Sequence, residues 1–278
     1  MNLHIAYFDT STYRHIFEGY NISNEEKQLL FLKCADQELL IKVSLLNIEE
    51  IFSLYLKNRE VGRKQLEQIL KLADLSELLR YPDMMINDAF ENLYNSRTER
   101  EYYIRDINIL HRFKTILENP DGFEDKIQNI VLEISTQKDE FLLSNIDAKK
   151  EVLSKIGKED WSKIEFNEFL KNSMPHFLRG FLDRIQNPNG KNEDELIEII
   201  SNNECVKIYS EACISLIFAQ LFENMKPDRG DSFDLRHTVS AIPVELFVLD
   251  DKKFKRVLER IPSRKFKLFN LEEFIKIL

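Results

Sequence analysis

Glycine and proline are scarce in this chain, with seven of each among its 278 residues. Loops that wrap the phosphates of a nucleotide depend on glycine, and the chain has neither a Walker-type lysine motif nor a dinucleotide-binding fingerprint. We therefore expect no nucleotide binding of those kinds. Cysteine is scarcer still, and the wide spacing of Cys34, Cys205 and Cys213 in apolar surroundings predicts buried reduced thiols rather than disulfides or a zinc site.

Long apolar runs are also lacking. No stretch approaches the roughly 20 apolar residues that a membrane span needs, and the N-terminus lacks the charged and apolar regions of a signal peptide. We expect a cytoplasmic protein that binds no membrane. The formal net charge of −9 does not by itself indicate nucleic-acid binding, although the distribution of charge matters more than its sum.

Two short apolar runs, far apart in the sequence, each end in aspartate. Residues 3–8 precede Asp9, and residues 244–249 precede Asp250 and Asp251. Such runs are typical of buried strands in a parallel sheet, and in open α/β folds ligands bind beyond the carboxyl ends of those strands. The pattern predicts that these acids lie together at one edge of one sheet.

Other acidic residues lie at the starts of predicted helices, where they could lie close to Asp9, Asp250 and Asp251. A predicted strand over residues 39–43 leads into a predicted helix from residue 48, which carries Glu49 and Glu50. About 100° separates neighbours on a helix, so only one of the two can face a cleft. Asp234 opens another predicted helix. Acids drawn from distant segments suit Mg²⁺ or Mn²⁺, which prefer oxygen ligands.

The order of these features resembles the PIN domain, a family of metal-dependent ribonucleases. The resemblance covers roughly fifty residues at each end of the chain. It favours Glu50 over Glu49, and it implies four acids that bind metal and catalyse hydrolysis: Asp9, Glu50, Asp234 and Asp251. The chain departs from the family in having a long insertion between the second and third acids, and Leu249 where a hydroxyl residue is common.

The resemblance implies an α/β fold in which helices sandwich a parallel sheet. The PIN-like core is expected to be discontinuous, formed by residues 1–60 and 222–278. Residues 61–221 show apolar positions at helical spacing almost throughout. They predict an all-α insertion subdomain within the core.

Other residues near the four acids could assist them. Thr10, Asp231 and Asp250 can cap helices or support a metal site from outside. His237 lies one helical turn after Asp234, and we expect it to support the acids rather than act as a base. Basic residues could follow the substrate backbone, although a solvated surface is the default interpretation of such residues. They are Arg236, Lys252, Lys253 and Arg256.

These residues predict a nuclease that hydrolyses phosphodiester bonds in RNA with Mg²⁺ or Mn²⁺, and DNA is not excluded as a substrate. A toxin of a toxin–antitoxin pair, a defence effector and an RNA-processing enzyme all remain open. The insertion could bind an inhibitory protein, select a structured RNA or form a homodimer interface.

Two other functions are considered beside the nuclease. One is a non-catalytic or partner-gated interaction protein that uses the helical insertion. The other is a metal-independent ribonuclease of HEPN type, because Arg105 and His111 resemble the arginine-to-histidine pattern of that family. Their six-residue spacing places them on diverging faces of a helix, which weakens this interpretation.

Overall fold

The computed structural model describes residues 3–91, 102–155, 164–182 and 190–278. The strands of this part of the chain are β1 (His4–Phe8), β2 (Leu39–Lys42), β3 (Leu78–Leu79), β4 (Tyr103–Ile104), β5 (Leu246–Val248) and β6 (Lys267–Phe269). The helices are α1 (Thr10–Glu18), α2 (Asn24–Ala35), α3 (Leu45–Lys57), α4 (Arg59–Leu72), α5 (Pro82–Glu91), α6 (Ile107–Glu118), α7 (Glu124–Lys155), α8 (Phe166–Arg179), α9 (Glu193–Ser201), α10 (Glu204–Phe222), α11 (Asp231–Ser240), α12 (Lys252–Glu259) and α13 (Leu271–Ile275).

A four-stranded sheet in the order β2–β1–β5–β6 lies at the centre, and all its neighbouring strands are parallel. Its two faces bury different helices. Ala6 and Phe8 of β1 pack on one side with Ile51 of α3, whereas Tyr7 packs on the other with Leu216 of α10. Because both faces are covered, the central strands are apolar without alternation. The expected mixed α/β fold, a parallel sheet flanked by helices, is confirmed.

Polar residues at the strand ends start the following helices. Asp9 caps α1 and accepts a hydrogen bond from Thr12 N. After β2, Ser44 and Asn47 form a capping box that starts α3 at Leu45, three residues earlier than expected. Glu50 therefore lies in the second turn of α3 rather than at its start. After β5, Asp251 caps α12.

The predicted insertion, residues 61–221, is largely but not wholly helical where the structure describes it. The short strands β3 and β4 pair antiparallel, with Leu79 opposite Tyr103. This pair was not expected, because two-residue strands leave no readable periodicity. Several helices of this span pack directly on core elements: α4 contacts α1 and α3, α10 contacts α11 and α12, and α7 contacts α3 and α11.

Helix α10 differs from one expectation. It is long and apolar enough to cross a membrane by length and composition alone, although no such run was expected. However, 78% of its apolar window is buried inside the protein, as in a core helix. The prediction of buried thiols is confirmed for Cys205 and Cys213, whereas Cys34 is only half-buried.

Gly62 sets how closely α4 can approach α3. A Cβ atom at this position would lie 2.2 Å from Tyr55 Cα, which is backbone and cannot rotate away. We expect Gly62→Ala to lower the free energy of unfolding by about 3 kcal/mol, measured by denaturant titration. Glu67→Ala, on the exposed face of the same helix, should change it by less than about 0.5 kcal/mol. Equal effects of the two substitutions would show that this close approach does not limit the fold.

Candidate active site

A pocket of about 270 Å³ opens at the carboxyl edge of the sheet. We call it the acid pocket and define it by its lining residues: Asp9, Thr10, Ser11, Arg14, Glu50, Leu54, Gln65, Asp234, His237 and Asp251. The structure thus brings together the four acids that the sequence singled out, from the end of β1, from α3, from α11 and from the end of β5.

Asp9 is both a helix cap and part of the pocket wall. Its Oδ1 atom accepts from the backbone N of Thr12 at 2.7 Å, and its Oδ2 atom accepts from Ser11 Oγ at 2.6 Å. Burial raises the pKa of Asp9, while these hydrogen bonds from Ser11 and Thr12 act in the opposite direction. The carboxylate is therefore oriented by its own helix before any ligand binds.

Glu50 is held on both of its oxygens. Oε2 accepts from Thr10 Oγ1 at 2.8 Å and lies 2.9 Å from His237 Nε2, and Oε1 accepts from Lys138 Nζ at 2.8 Å. Burial alone would raise the pKa of Glu50, but His237 and Lys138 outweigh it and lower the pKa to about 2. Its neighbour Glu49 does not line the pocket, and burial raises the pKa of Glu49 to about 7.

His237 links Glu50 to the centre of the sheet. The hydroxyl of Tyr7, on β1, lies 2.5 Å from His237 Nδ1 and 2.9 Å from Ser44 Oγ. When Nε2 donates to Glu50, a neutral imidazole leaves Nδ1 to accept from Tyr7. This chain of side chains holds Glu50 in place, which is the supporting position that the sequence suggested for His237.

Asp234 differs from the other three acids because no described residue donates a hydrogen bond to its carboxylate. It lies in the first turn of α11. Burial, followed by repulsion from Glu50, Asp251 and Asp9, raises the pKa of Asp234 well above its usual value. A cation entering the pocket would therefore be stabilised most directly by this carboxylate.

The donor set fits a divalent cation in its chemistry, since four carboxylates offer the oxygen ligands that such ions prefer. The arrangement is not a finished ligand cage. Among the residues that the structure describes, no three acidic, histidine or cysteine side chains are grouped closely enough to hold one ion. The reason is visible at Asp9, Glu50 and Asp251, whose oxygens accept hydrogen bonds from the protein. Some of these carboxylates would have to turn to bind an ion.

The other two candidate acids lie outside the lining. Asp231 is buried and accepts from Gln220 Nε2 at 3.0 Å and from Asp228 N at 2.9 Å, and its pKa is raised by burial to about 6. Asp250 lies 2.5 Å from His15 Nδ1 and accepts from the backbone N of Leu271. Asp250 therefore joins α1 to the start of α13, a structural role outside the acid pocket.

The four predicted basic residues do not line the acid pocket. The guanidinium of Arg236 pairs with Asp83 at 3.2 Å and donates to Gln137, so it joins parts of the protein instead of facing a substrate. Lys253 and Arg256 line a second pocket of about 340 Å³, and Lys252 lines a third. The prediction that Lys252, Lys253 and Arg256 follow a substrate backbone stays a prediction.

Three residues at the site were not found from the sequence. Arg14 and Gln65 line the acid pocket, and Lys138, outside the lining, donates a hydrogen bond to Glu50. Gln65 is only 1% exposed, and no residue in the described part of the chain hydrogen-bonds its Nε2 atom. Only Arg14 left a signal, because it follows Thr10 by four residues and shares its helix face. Gln65 and Lys138 come from helices whose position depends on tertiary packing.

The HEPN-like pair does not gather into a site. Arg105 donates to Glu77, and His111 is exposed on α6. Neither residue lines the acid pocket.

Comparison with protein families, with curated proteins and with solved structures found no match to this chain. A function can therefore be argued only from the residues of the site and from the resemblance noted in the sequence.

The raised pKa of Asp234 predicts how stability depends on pH. The unfolded chain loses this proton near pH 3.8, whereas the folded protein keeps it to a higher pH. In that interval the folded state binds more protons, so its stability falls as pH rises. Asp9 acts in the same direction, because its pKa is also raised. Glu50 acts in the opposite direction, and its contribution is lost only as pH falls below its usual pKa toward about 2.

In EDTA we expect the melting temperature to fall as pH rises above the usual pKa of aspartate, and to fall less in Asp234→Asn. Above that pH this variant should melt on the order of 2 °C above the wild type, because an unpartnered charge has been removed from the pocket. Scanning calorimetry measures both. If the variant showed the same pH dependence as the wild type, Asp234 would not carry the proposed electrostatic strain.

Proposed function

We propose that the protein is a PIN-like, metal-dependent nuclease that acts on RNA in the cytoplasm. The observation that carries this proposal is the convergence of Asp9, Glu50, Asp234 and Asp251 on one pocket at the carboxyl edge of a parallel sheet. Capping explains Asp9 and Asp251 individually, since each accepts from the first backbone N–H groups of a helix. It does not explain Asp234, whose carboxylate has no described donor.

A destabilising charge that no fold requirement explains favours a functional role. These carboxylates would hold Mg²⁺ or Mn²⁺, which would lower the pKa of a bound water molecule and neutralise charge developing on the phosphate. Asp234 and Asp9 would provide oxygens that face the ion. Glu50, positioned by Thr10 and His237, would provide a third oxygen with little loss of side-chain freedom.

The pocket also contains groups that suit a phosphodiester. The guanidinium of Arg14 has no acidic partner among the described residues, whereas the hydroxyls of Ser11 and Thr10 already donate to Asp9 and Glu50. The buried Nε2 of Gln65 has no hydrogen-bond partner among the residues that the structure describes, which costs about 1–3 kcal/mol unless a ligand supplies one. We infer that Arg14 and Gln65 contact the substrate beside the metal, because an acid pocket that binds only cations has no use for these donors.

A second candidate function, a nuclease gated by a partner of the insertion, is favoured by one observation. Lys138 of α7, within the predicted insertion, donates directly to the candidate ligand Glu50. A protein or RNA that moved α7 would therefore act on the site without entering it.

Cleavage of labelled RNA tests the function. With Mn²⁺ the purified chain should cut, EDTA should stop cutting, and Asp234→Asn or Glu50→Gln should lower the rate by at least about a hundredfold. Glu49→Gln is the matched control: it alters the adjacent carboxyl, which does not line the pocket, and should leave the rate unchanged.

Labelled DNA of the same sequence, run in parallel, shows whether ribose is required. Cutting that survives EDTA, or that persists in Asp234→Asn, would exclude the proposed mechanism. A metal-independent activity that was lost on substitution of His111 would favour the HEPN-like alternative instead.

Gln65→Met tests substrate contact separately. It keeps the buried volume but removes the amide, so we expect KM to rise about fivefold to tenfold with little change in kcat. Gln68→Met, one turn further along α4 and outside the pocket lining, is the control. If KM rose equally in both variants, the effect would come from packing of α4 rather than from a contact with substrate.

A further inference from the structure

Lys138 places a positive charge against the acid pocket from outside the predicted core. Its Nζ atom lies 2.8 Å from Glu50 Oε1, and the two side chains are only 20% and 17% exposed. The same Nζ atom lies 4.0 Å from the ring centroid of Phe233. Because both partners are largely shielded, solvent screens this ion pair much less than a surface pair.

The helix that carries Lys138 is fixed on both sides of it. Arg229 pairs with Asp139 at 2.5 Å, and Arg236 donates to Gln137 at 3.0 Å. Arg229 and Arg236 belong to the segment that contains α11 and Asp234. The residues before and after Lys138 are thus bonded to the segment that contains Asp234. These contacts hold α7 in the position from which the Lys138 amine reaches Glu50.

These contacts leave Glu50 little capacity for a metal ion. Lys138 takes Oε1, while Thr10 and His237 take Oε2. A divalent cation that bound Glu50 directly would have to replace one of these partners. Lys138 is the one whose positive charge would also repel the incoming ion.

The structure offers Lys138 an alternative place. A separate cavity of about 250 Å³ between α3 and α7 is lined by Ser53, Lys57, Val131, Ile134, Ser135, Lys138, Arg229 and Gly230. The lysine side chain has four rotatable carbons, so its amine can leave Glu50 while α7 stays in place.

We propose that Lys138 is an internal counter-cation that competes with the divalent metal ion for Glu50, so that the helical insertion sets the metal affinity of the acid pocket. This inference rests on the proposed function. In the metal-free protein Lys138 neutralises Glu50, and on metal binding its amine withdraws from Glu50. Because coupling between sites is reciprocal, a ligand that draws α7 away from Glu50 would tighten metal binding by the same factor that metal tightens that ligand.

Direct Mn²⁺ binding to the EDTA-stripped full-length chain tests this, by calorimetry or by the paramagnetic resonance signal of free Mn²⁺. Lys138→Met keeps the apolar stem and removes the charge, and it should bind Mn²⁺ about tenfold more tightly than the wild type. Lys138→Arg keeps the charge and should stay near the wild type. Unchanged or weaker binding by Lys138→Met would overturn the proposal.

Two controls separate direct competition from general repulsion. Arg14→Gln removes a cation that lines the pocket without contacting Glu50, and it should tighten binding less than Lys138→Met does. In a Glu50→Gln background, Lys138→Met should lose its effect, since the two residues then share no charge pair. Equal tightening by Arg14→Gln, or an undiminished effect without Glu50, would refute competition at Glu50.

A further test uses the wild-type protein alone and does not depend on whether a substituted protein folds. If metal displaces Lys138, saturating Mn²⁺ should increase acetylation of its amine, measured by mass spectrometry, relative to Lys150 on the exposed end of α7. Unchanged or reduced labelling would contradict the proposal. A different result would show that the pocket does not bind metal at all: Mn²⁺ would bind no more tightly to the wild type than to Asp234→Asn. That result would contradict both the proposed nuclease function and this inference.

Discussion

Repulsion among carboxylates at one edge of the sheet is the constraint on which the site depends. Parallel strands direct their carboxyl ends to the same side, so β1 and β5 deliver Asp9 and Asp251 to one pocket, and α3 and α11 add Glu50 and Asp234. The protein relieves the repulsion unevenly. Glu50 receives partners and has a pKa lowered to about 2, whereas Asp234 has no described donor and a strongly raised pKa. Glu50 is satisfied by protein groups, whereas no described residue donates a hydrogen bond to the carboxylate of Asp234.

The difference between Glu50 and Asp234 depends partly on the predicted insertion, which supplies one of the partners of Glu50. Lys138 supplies a cation to Glu50 from α7, and Gln65 reaches the pocket from α4, so two helices of the predicted insertion contribute to the acid pocket and its surroundings. The predicted core and insertion are therefore separate in the sequence but pack against each other in the structure. In space, α4 packs on α1 and α3, and α7 packs on α3 and α11. A change in the insertion is expected to reach the acids through these contacts.

Local chemistry determined which features could be predicted from the sequence. Apolar runs ending in acids predicted the strands β1 and β5 and the polar residues that follow them. Strand direction predicted that Asp9 and Asp251 lie together, and the resemblance to the PIN domain added Glu50 and Asp234 to them. Lys138 and Gln65 could not be predicted, because no local pattern fixes where a distant helix packs. Arg236 was misjudged for the same reason: its partners Asp83 and Gln137 are distant in sequence.

The central claim is that the acid pocket binds a divalent metal ion through Asp234 and its neighbours. Crystals soaked in Mn²⁺ and measured near the manganese absorption edge test it most directly. The predicted result is an anomalous peak inside the pocket, at coordination distance from Asp234 and Asp9, with Glu50 turned away from Lys138. A pocket without a peak at saturating Mn²⁺, beside ordered carboxylates in their present hydrogen bonds, would contradict the claim.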